Sequence, residues 1–490
     1  MFYHPYLIGI KGAGMVGLAT LLKSEVWSLK SEVHVVGSDI SERFFSDEIL
    51  ENLGIFAESF DAKLPDDCDV VIYSAAYDES HPQRVQAKER NIPQYSYFEF
   101  LGMYAEKKDT VSVVGTHGKT TTTALLGYLL EQLEVSPTVL VGSKIKQFNN
   151  QTVSMGNSEL FVVEACEYKN HFFHISPEHI LCTNVDYDHV DFFPTQELYR
   201  ESFLKYIERV SENNLVSHVS CKFEKGFTYG EKGSGADVEF EYKGREGVFQ
   251  MFEIVVRNAS LKEIFPTSMA FKMRLVGKHN ISNFTGAWLM SWLVVQTKID
   301  RDLFVRTTQK ASEEFQGIGR RLESYGEYEG ALLFDDYGHH PAEVKTTLEG
   351  VKEAFPEREI WLVFQSHTYS RTRELEKEFA ESFRTADRVF LAPIYSSARE
   401  EKGEYTDEKF VATVQVQNPN FFFGSFEEIV LEVKKQLKGM KEKPEVLNQV
   451  QDGHRPQTTD YRPVVVSMGA GDVWKVIDAL RNSEQLTVNK

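Results

Sequence analysis

The sequence predicts an α/β protein of three domains, and three observations carry that expectation. The chain has 490 residues, more than one hydrophobic core usually organises. Short apolar runs alternate with helix-like patterns in three successive stretches. The first two stretches each open on a strand that runs into a glycine turn, at Gly12 and at Gly115.

In the first stretch Tyr6–Ile10, Val33–Gly37 and Val70–Ser74 read as strands of a parallel sheet. The second begins with Val111–Val114, continues in a helix from about Thr120 to Gln132, and adds the strands Leu160–Val163 and Ile180–Thr183. Residues 211–277 are rich in glycine, charge and short alternating strands (Val238–Tyr242, Val248–Val256), and read as an antiparallel addition to the same domain. After Arg321 come Ala331–Phe334, Ile360–Phe364, Arg388–Ala392 and Val464–Ser467, with polar Lys441–Pro463 as a loop before the last strand. The expected domains are 1–108, 109–323 and 324–490.

Composition bounds the function. A hydrophobic fraction of 42% and a charged fraction of 26% are those of a globular protein. No apolar run reaches the roughly 20 residues that span a bilayer, and the first residues lead into a strand rather than a cleavable signal, so the expected location is the cytoplasm. Cys68, Cys166, Cys182 and Cys221 lack C-x-x-C spacing, which predicts buried free thiols. A net charge of −19 excludes nucleic acid and anionic membranes as partners. Small phosphorylated substrates remain compatible, because that field is screened beyond about 8 Å.

The segment V-V-G-T-H-G-K-T-T-T-T (Val113–Thr123) lies between a predicted strand and helix. Such a loop turns backbone N–H groups and a helix N-terminus toward phosphate oxygens, with Lys119 to neutralise them and the Thr120 hydroxyl to ligate magnesium. Two more strands end in metal-binding types, at Glu164 and Glu167 and at Asn184, Asp188 and His189. Ligands gather at the carboxyl ends of parallel strands, so these groups should converge on the loop and hold Mg²⁺ there. The N-terminal Gly12-x-Gly14-x-x-Gly17, with Asp39 ending the next strand, is a dinucleotide fingerprint; read locally it supports an NAD-dependent oxidoreductase.

Taken together, G-T-H-G-K-T-T-T-T, E-A-C-E-Y, N-V-D-Y-D-H, G-K-H-N-I-S-N, G-I-G-R-R-L-E, D-D-Y-G-H-H-P and H-T-Y-S-R-T stand in the order found in the Mur ligases, and the chain resembles that family over essentially its whole length. The resemblance implies Rossmann-like first and third domains around a central P-loop ATPase-type parallel sheet. It looks closest to the branch that uses ATP and Mg²⁺ to join L-alanine to the lactyl carboxylate of UDP-N-acetylmuramate through an acyl phosphate, in peptidoglycan synthesis. By that resemblance Gly115, Thr116, His117, Gly118, Lys119, Thr120 and Thr121 cradle the ATP phosphates. Thr120, Glu164 and His189 serve magnesium. Asn184, His279, Asn280 and Asn283 line the nucleotide pocket, Arg321 reaches the phosphates, and Asp336 faces the ribose.

Tyr337, His339, His340, His367 and Arg371 would receive the amino acid, Arg371 suiting its carboxylate. The first-domain turn (Gly12, Ala13, Gly14, Met15) with Asp39 and Ser74 would be adapted to the uracil-diphosphate end of the sugar nucleotide. Catalysis would fall to Lys119, Glu164, His189, Arg321 and Arg371. The partners implied are those three small molecules, with the protein a monomer or homodimer. Singly, several of these residues have ordinary readings: His-Asn pairs and a histidine pair before proline cap helices, and Arg-Arg-x-Glu forms surface ion pairs. Gln83 takes no role, and Thr368 stands where some relatives carry Arg. Three other readings stay open: a related ligase that attaches a recycled peptide but usually lacks H-T-Y-S-R, a non-catalytic scaffold, and the oxidoreductase, which leaves Lys119, Glu164 and His189 unexplained.

Overall fold

A computed structural model describes residues 2–24, 33–190, 192–246, 248–395, 405–440 and 462–485. Its strands form three sheets, one for each α/β domain. The chain packs as two compact units, residues 1–274 with 280–316, and residues 275–279 with 317–490. The first unit therefore holds the first two sheets.

The N-terminal sheet is parallel throughout, with spatial order Val36–Ser38, Pro5–Ile8, Val70–Tyr73, Gln94–Ser96. Its two inner strands, Pro5–Ile8 and Val70–Tyr73, are buried on both faces, which is why they read as continuous apolar runs. The second strand starts three residues later than Val33, and Gln94–Ser96, three half-buried residues, carries no apolar pattern.

The central sheet has ten strands. Asp109–Val114 lies at its middle, flanked in parallel by Leu160–Glu164 and His179–Cys182. The run on from residue 211 continues this sheet: Leu215–His218, Phe227–Glu231 and the start of Val238–Glu246 add in parallel, then Phe249–Val256 and Ser268–Met273 add antiparallel, as Gln151–Ser154 does on Thr138–Ile145 at the other edge. Helix Lys119–Gln132 follows the middle strand and is buried from Thr120 to Leu130, so it shows no polar face. Helix Lys278–Val295 is buried along most of its length as well.

The C-terminal sheet runs Glu323–Tyr328, Ala331–Asp336, Val464–Met468, Ile360–Phe364, Arg388–Leu391, Phe421–Phe423, with only the first strand antiparallel. Of the segment read as a loop, residues 441–461 lie outside the described residues. No helix among the described residues is long and apolar enough to cross a membrane, and all four cysteines are free.

Candidate active site

The middle strand of the central sheet ends at Val114, and the chain turns through Gly115 and Gly118 into the helix at Lys119. Gly118 is the N-cap, in the left-handed conformation at φ 80. The first intrahelical bond joins Thr122 N to Gly118 O at 2.9 Å. The amides of residues 119–121 thus precede it, the arrangement in which a helix N-terminus receives an anion.

The loop is tied down from the neighbouring strand. Asn184 Oδ1 accepts from the amides of Thr116 (3.1 Å) and His117 (2.9 Å), and its Nδ2 donates to His117 O at 2.9 Å. Thr183 Oγ1 donates to His117 O at 2.6 Å, and buried Thr116 Oγ1 lies 2.7 Å from the Tyr199 hydroxyl. Asn184 therefore organises the loop from behind.

Lys119 Nζ donates to Gly115 O at 2.5 Å and Thr116 O at 3.0 Å, and pairs with Glu167 Oε2 at 2.9 Å. Burial pulls this ammonium's pKa down, but Glu167 and Glu164 more than offset it and the group lies above its ordinary value. Glu167, 2% exposed, also holds His189 Nε2 at 3.3 Å. Burial pushes its carboxyl up, and Lys119 and His189 outweigh that and bring it below the usual range.

The three residues assigned to magnesium divide into two pairs. Thr120 Oγ1 donates to Glu164 at 3.0 Å, whereas His189 sits on Glu167 with its ring 4.7 Å from that of Tyr168. Among the described residues no three His, Cys, Asp or Glu side chains converge as a metal cage. A hydroxyl and a carboxylate beside a phosphate loop fit magnesium, which keeps several waters and is completed by substrate phosphates. Glu167, which the sequence offered only as a general metal-binding type, the second carboxylate of E-A-C-E-Y, is the residue that joins Lys119 to His189.

Asn280 and Asn283 belong to the phosphate-loop unit. Asn283 Nδ2 donates to Asn280 Oδ1 at 3.3 Å, and its own Oδ1 lies 2.7 Å from where a Cβ on Gly118 would stand. His279 groups with the C-terminal unit. There burial first, and then Arg321, brings its pKa down to about 4.

In that unit Arg320 is committed to structure, through Asp335 Oδ2 at 3.0 Å and Gly469 O at 2.5 Å. Arg321 Nε is buried without a hydrogen-bond partner, which leaves this arginine available to a ligand. Both Asp336 oxygens accept backbone amides, from Leu322 at 2.8 Å and Gly338 at 2.7 Å. Tyr337, His339 and His367 cluster, the ring centroids 5.4 and 6.2 Å apart, and Arg371 lies close enough to depress His339 electrostatically. His340 instead caps helix Pro341–Ala354, its Nδ1 accepting Ala342 N at 3.3 Å.

Burial, with Arg371 and His367 adding to it, brings His339 down to about 4, so it is a neutral acceptor at physiological pH. Folded His279 and His339 bind fewer protons than unfolded histidine between about pH 4 and 6.5, so stability falls as pH falls through that window. Asp335, pushed up by burial to about 6, opposes this, while His171, brought down by burial to about 4, adds to it. The urea midpoint should therefore drop on acidification from pH 6.5 to 4, and drop less in His339→Gln, which cannot take up the proton.

In the N-terminal domain the Asp39 carboxylate closes on the glycine turn, accepting Lys11 N at 2.7 Å and Ile40 N at 2.8 Å. Gly12, Ala13, Gly14 and Met15 open helix Ala13–Lys23, and Ser74 follows the neighbouring strand, its amide donating to Ile8 O at 3.0 Å. Gln83 is fully buried, taking Ser38 Oγ at 2.5 Å and donating to the Tyr6 hydroxyl at 2.7 Å.

Family models described as Mur ligase family catalytic domain, Mur ligase middle domain and Mur ligase glutamate ligase domain match residues 4–109, 113–291 and 320–440. A UDP-N-acetylmuramate–L-alanine ligase of Desulfitobacterium hafniense is 33% identical over 491 aligned positions, 97% of this chain and 99% of its own. The crystal structure of the UDP-N-acetylmuramate–alanine ligase of Thermotoga maritima superposes with a TM-score of 0.75 at 23% identity, over 99% of this chain and all of that one. A murein peptide ligase of Psychrobacter arcticus gives 0.65 at 20%, over 98% and 99%. The two structures speak for the fold. With three models in order along it and a relative one-third identical over nearly all its length, the chain belongs to the Mur ligase family.

Proposed function

We propose that this chain joins L-alanine to the lactyl carboxylate of UDP-N-acetylmuramate at the expense of ATP, a step of peptidoglycan synthesis. The observation that carries the reading is the phosphate loop with Lys119 held between its carbonyls and Glu167, in a chain one-third identical to a ligase of that name over 97% of its length. In this reading residues 1–108 take the sugar nucleotide, 109–323 take ATP, and 324–490 take the amino acid.

A carboxylate does not condense with an amine in water, so its oxygen must first be phosphorylated. Lys119 and the amides of residues 119–121 hold the transferred phosphoryl group, acting by charge and position. Thr120 with Glu164, and separately His189 beside Glu167, would hold magnesium, which would supply a Lewis acid for the phosphate oxygens. Glu167 keeps Lys119 charged and His189 oriented. The acyl phosphate then meets the neutral amine of alanine. Arg371 pairs with the amino acid's carboxylate, and neutral His339 can accept a hydrogen bond from its amine. Arg321, its Nε buried without a hydrogen-bond partner, would donate to a phosphate oxygen.

Arg371→Ala should raise KM for alanine by about 10- to 100-fold, the value of a hydrogen bond to a charged group, and leave KM for ATP unchanged in initial-rate assays. The reading itself is tested by phosphate release with ATP, magnesium and UDP-N-acetylmuramate across amino acids and an alanine-initiated tripeptide. Alanine should be used best, with glycine poorer by about 1–3 kcal/mol. Preference for the tripeptide would transfer the assignment to a peptide-recycling ligase, and phosphate release independent of any acceptor would end it. The oxidoreductase reading of the glycine turn gives way to family membership, and Asp39 is tied to the turn's own backbone.

A further inference from the structure

Tyr97 opens helix Tyr97–Ala105. A reciprocal cap fixes the helix start: Ser96 Oγ accepts Glu99 N at 3.2 Å, and the Glu99 carboxylate accepts Ser96 N at 2.6 Å. The Tyr97 ring lies over the N-terminal glycine turn. A Cβ built on Gly14 would stand 2.8 Å from Tyr97 Cζ and 3.0 Å from its hydroxyl, so glycine at position 14 is what admits the phenol. Tyr97 is edge-on to Phe98 at 4.9 Å, and Phe98 stacks at 3.7 Å on His171, four residues beyond Glu167.

The phenol also senses the phosphate-loop side. Burial first, and then the Glu164 carboxylate, hold its proton on, so it acts as a donor. The hydroxyl thus stands at the turn assigned to the sugar nucleotide, near enough to the carboxylate paired with Thr120 to feel its charge, and no step above uses it. A lysine or arginine here would be drawn into an ion pair with Glu164. A neutral O–H donor stays free to turn to an anion on the glycine turn.

We infer that Tyr97 is a positioning residue whose hydroxyl donates a hydrogen bond to the diphosphate of the sugar nucleotide on the Gly12–Gly14 turn. This rests on the sugar-nucleotide reading of that turn. Tyr97→Phe keeps the ring against Phe98 and removes only the donor. Calorimetric titration of the full-length protein without ATP should give at least about tenfold weaker binding of both UDP-N-acetylmuramate and UDP in this variant. KM for ATP and the melting temperature should match wild type. Equal affinities of the two proteins for the sugar nucleotide, a loss that spares UDP, or a parallel rise in KM for ATP would each overturn the role of Tyr97 alone. Wild-type protein that bound no sugar nucleotide would instead overturn the reading of the turn, and this role with it.

Discussion

Lys119→Ala should lower kcat by about 10²- to 10³-fold, the cost of removing one preorganised contact to a developing charge. The side chain reaches across the loop to Gly115 O and Thr116 O, so its ammonium sits where the transferred phosphoryl group would be gripped. The same change should cost stability by a separate route. Removing one partner of a buried pair leaves the other uncompensated, a penalty of about 3–5 kcal/mol. Glu167 is depressed in the fold, so its contribution is present above the unfolded carboxylate pKa and disappears as pH falls through the folded one. The stability deficit of Lys119→Ala should therefore shrink on acidification. Adding Glu167→Gln should recover much of the melting temperature and none of the turnover, which separates a folding defect from a catalytic one.

Gly115→Ala should raise KM for ATP at least about tenfold. Two constraints meet at this position. Its φ of +136 is one that side chains rarely adopt, a strain of about 1–3 kcal/mol. A Cβ there would also run into Thr183 Oγ1 and stand 3.0–3.1 Å from the Asn184 backbone. Those are the residues that clamp the loop, so relief must come from moving the clamp. ATP titration followed by tryptophan fluorescence, beside an unchanged far-ultraviolet circular dichroism spectrum, checks this. Wild-type affinity for ATP would show that the loop tolerates displacement and does not set nucleotide binding.

The parallel cores were legible because a strand buried on both faces has to be apolar throughout, as Val70–Tyr73 and Ile360–Phe364 are. Gln94–Ser96, Gln151–Ser154 and Phe421–Phe423 were not: they are three- or four-residue edge strands whose pairing is settled by the sheet beside them. The phosphate loop was legible because strand, glycine turn and helix follow one another along the chain. The division of labour between Glu164 and Glu167 was not, since two carboxylates three residues apart look alike until folding sends one to Thr120 and the other to Lys119 and His189. In the same way the sequence places Asn184 and Asp336 near ligands, while only the fold reveals that their oxygens serve backbone amides.

The acyl-phosphate route is tested most directly by oxygen tracing. With ¹⁸O in the lactyl carboxylate of UDP-N-acetylmuramate, one turnover with ATP and alanine should deliver one ¹⁸O atom into the released inorganic phosphate, read by mass spectrometry. Phosphate free of label, with alanine nonetheless joined, would contradict transfer of the phosphoryl group to that carboxylate at the Lys119 loop.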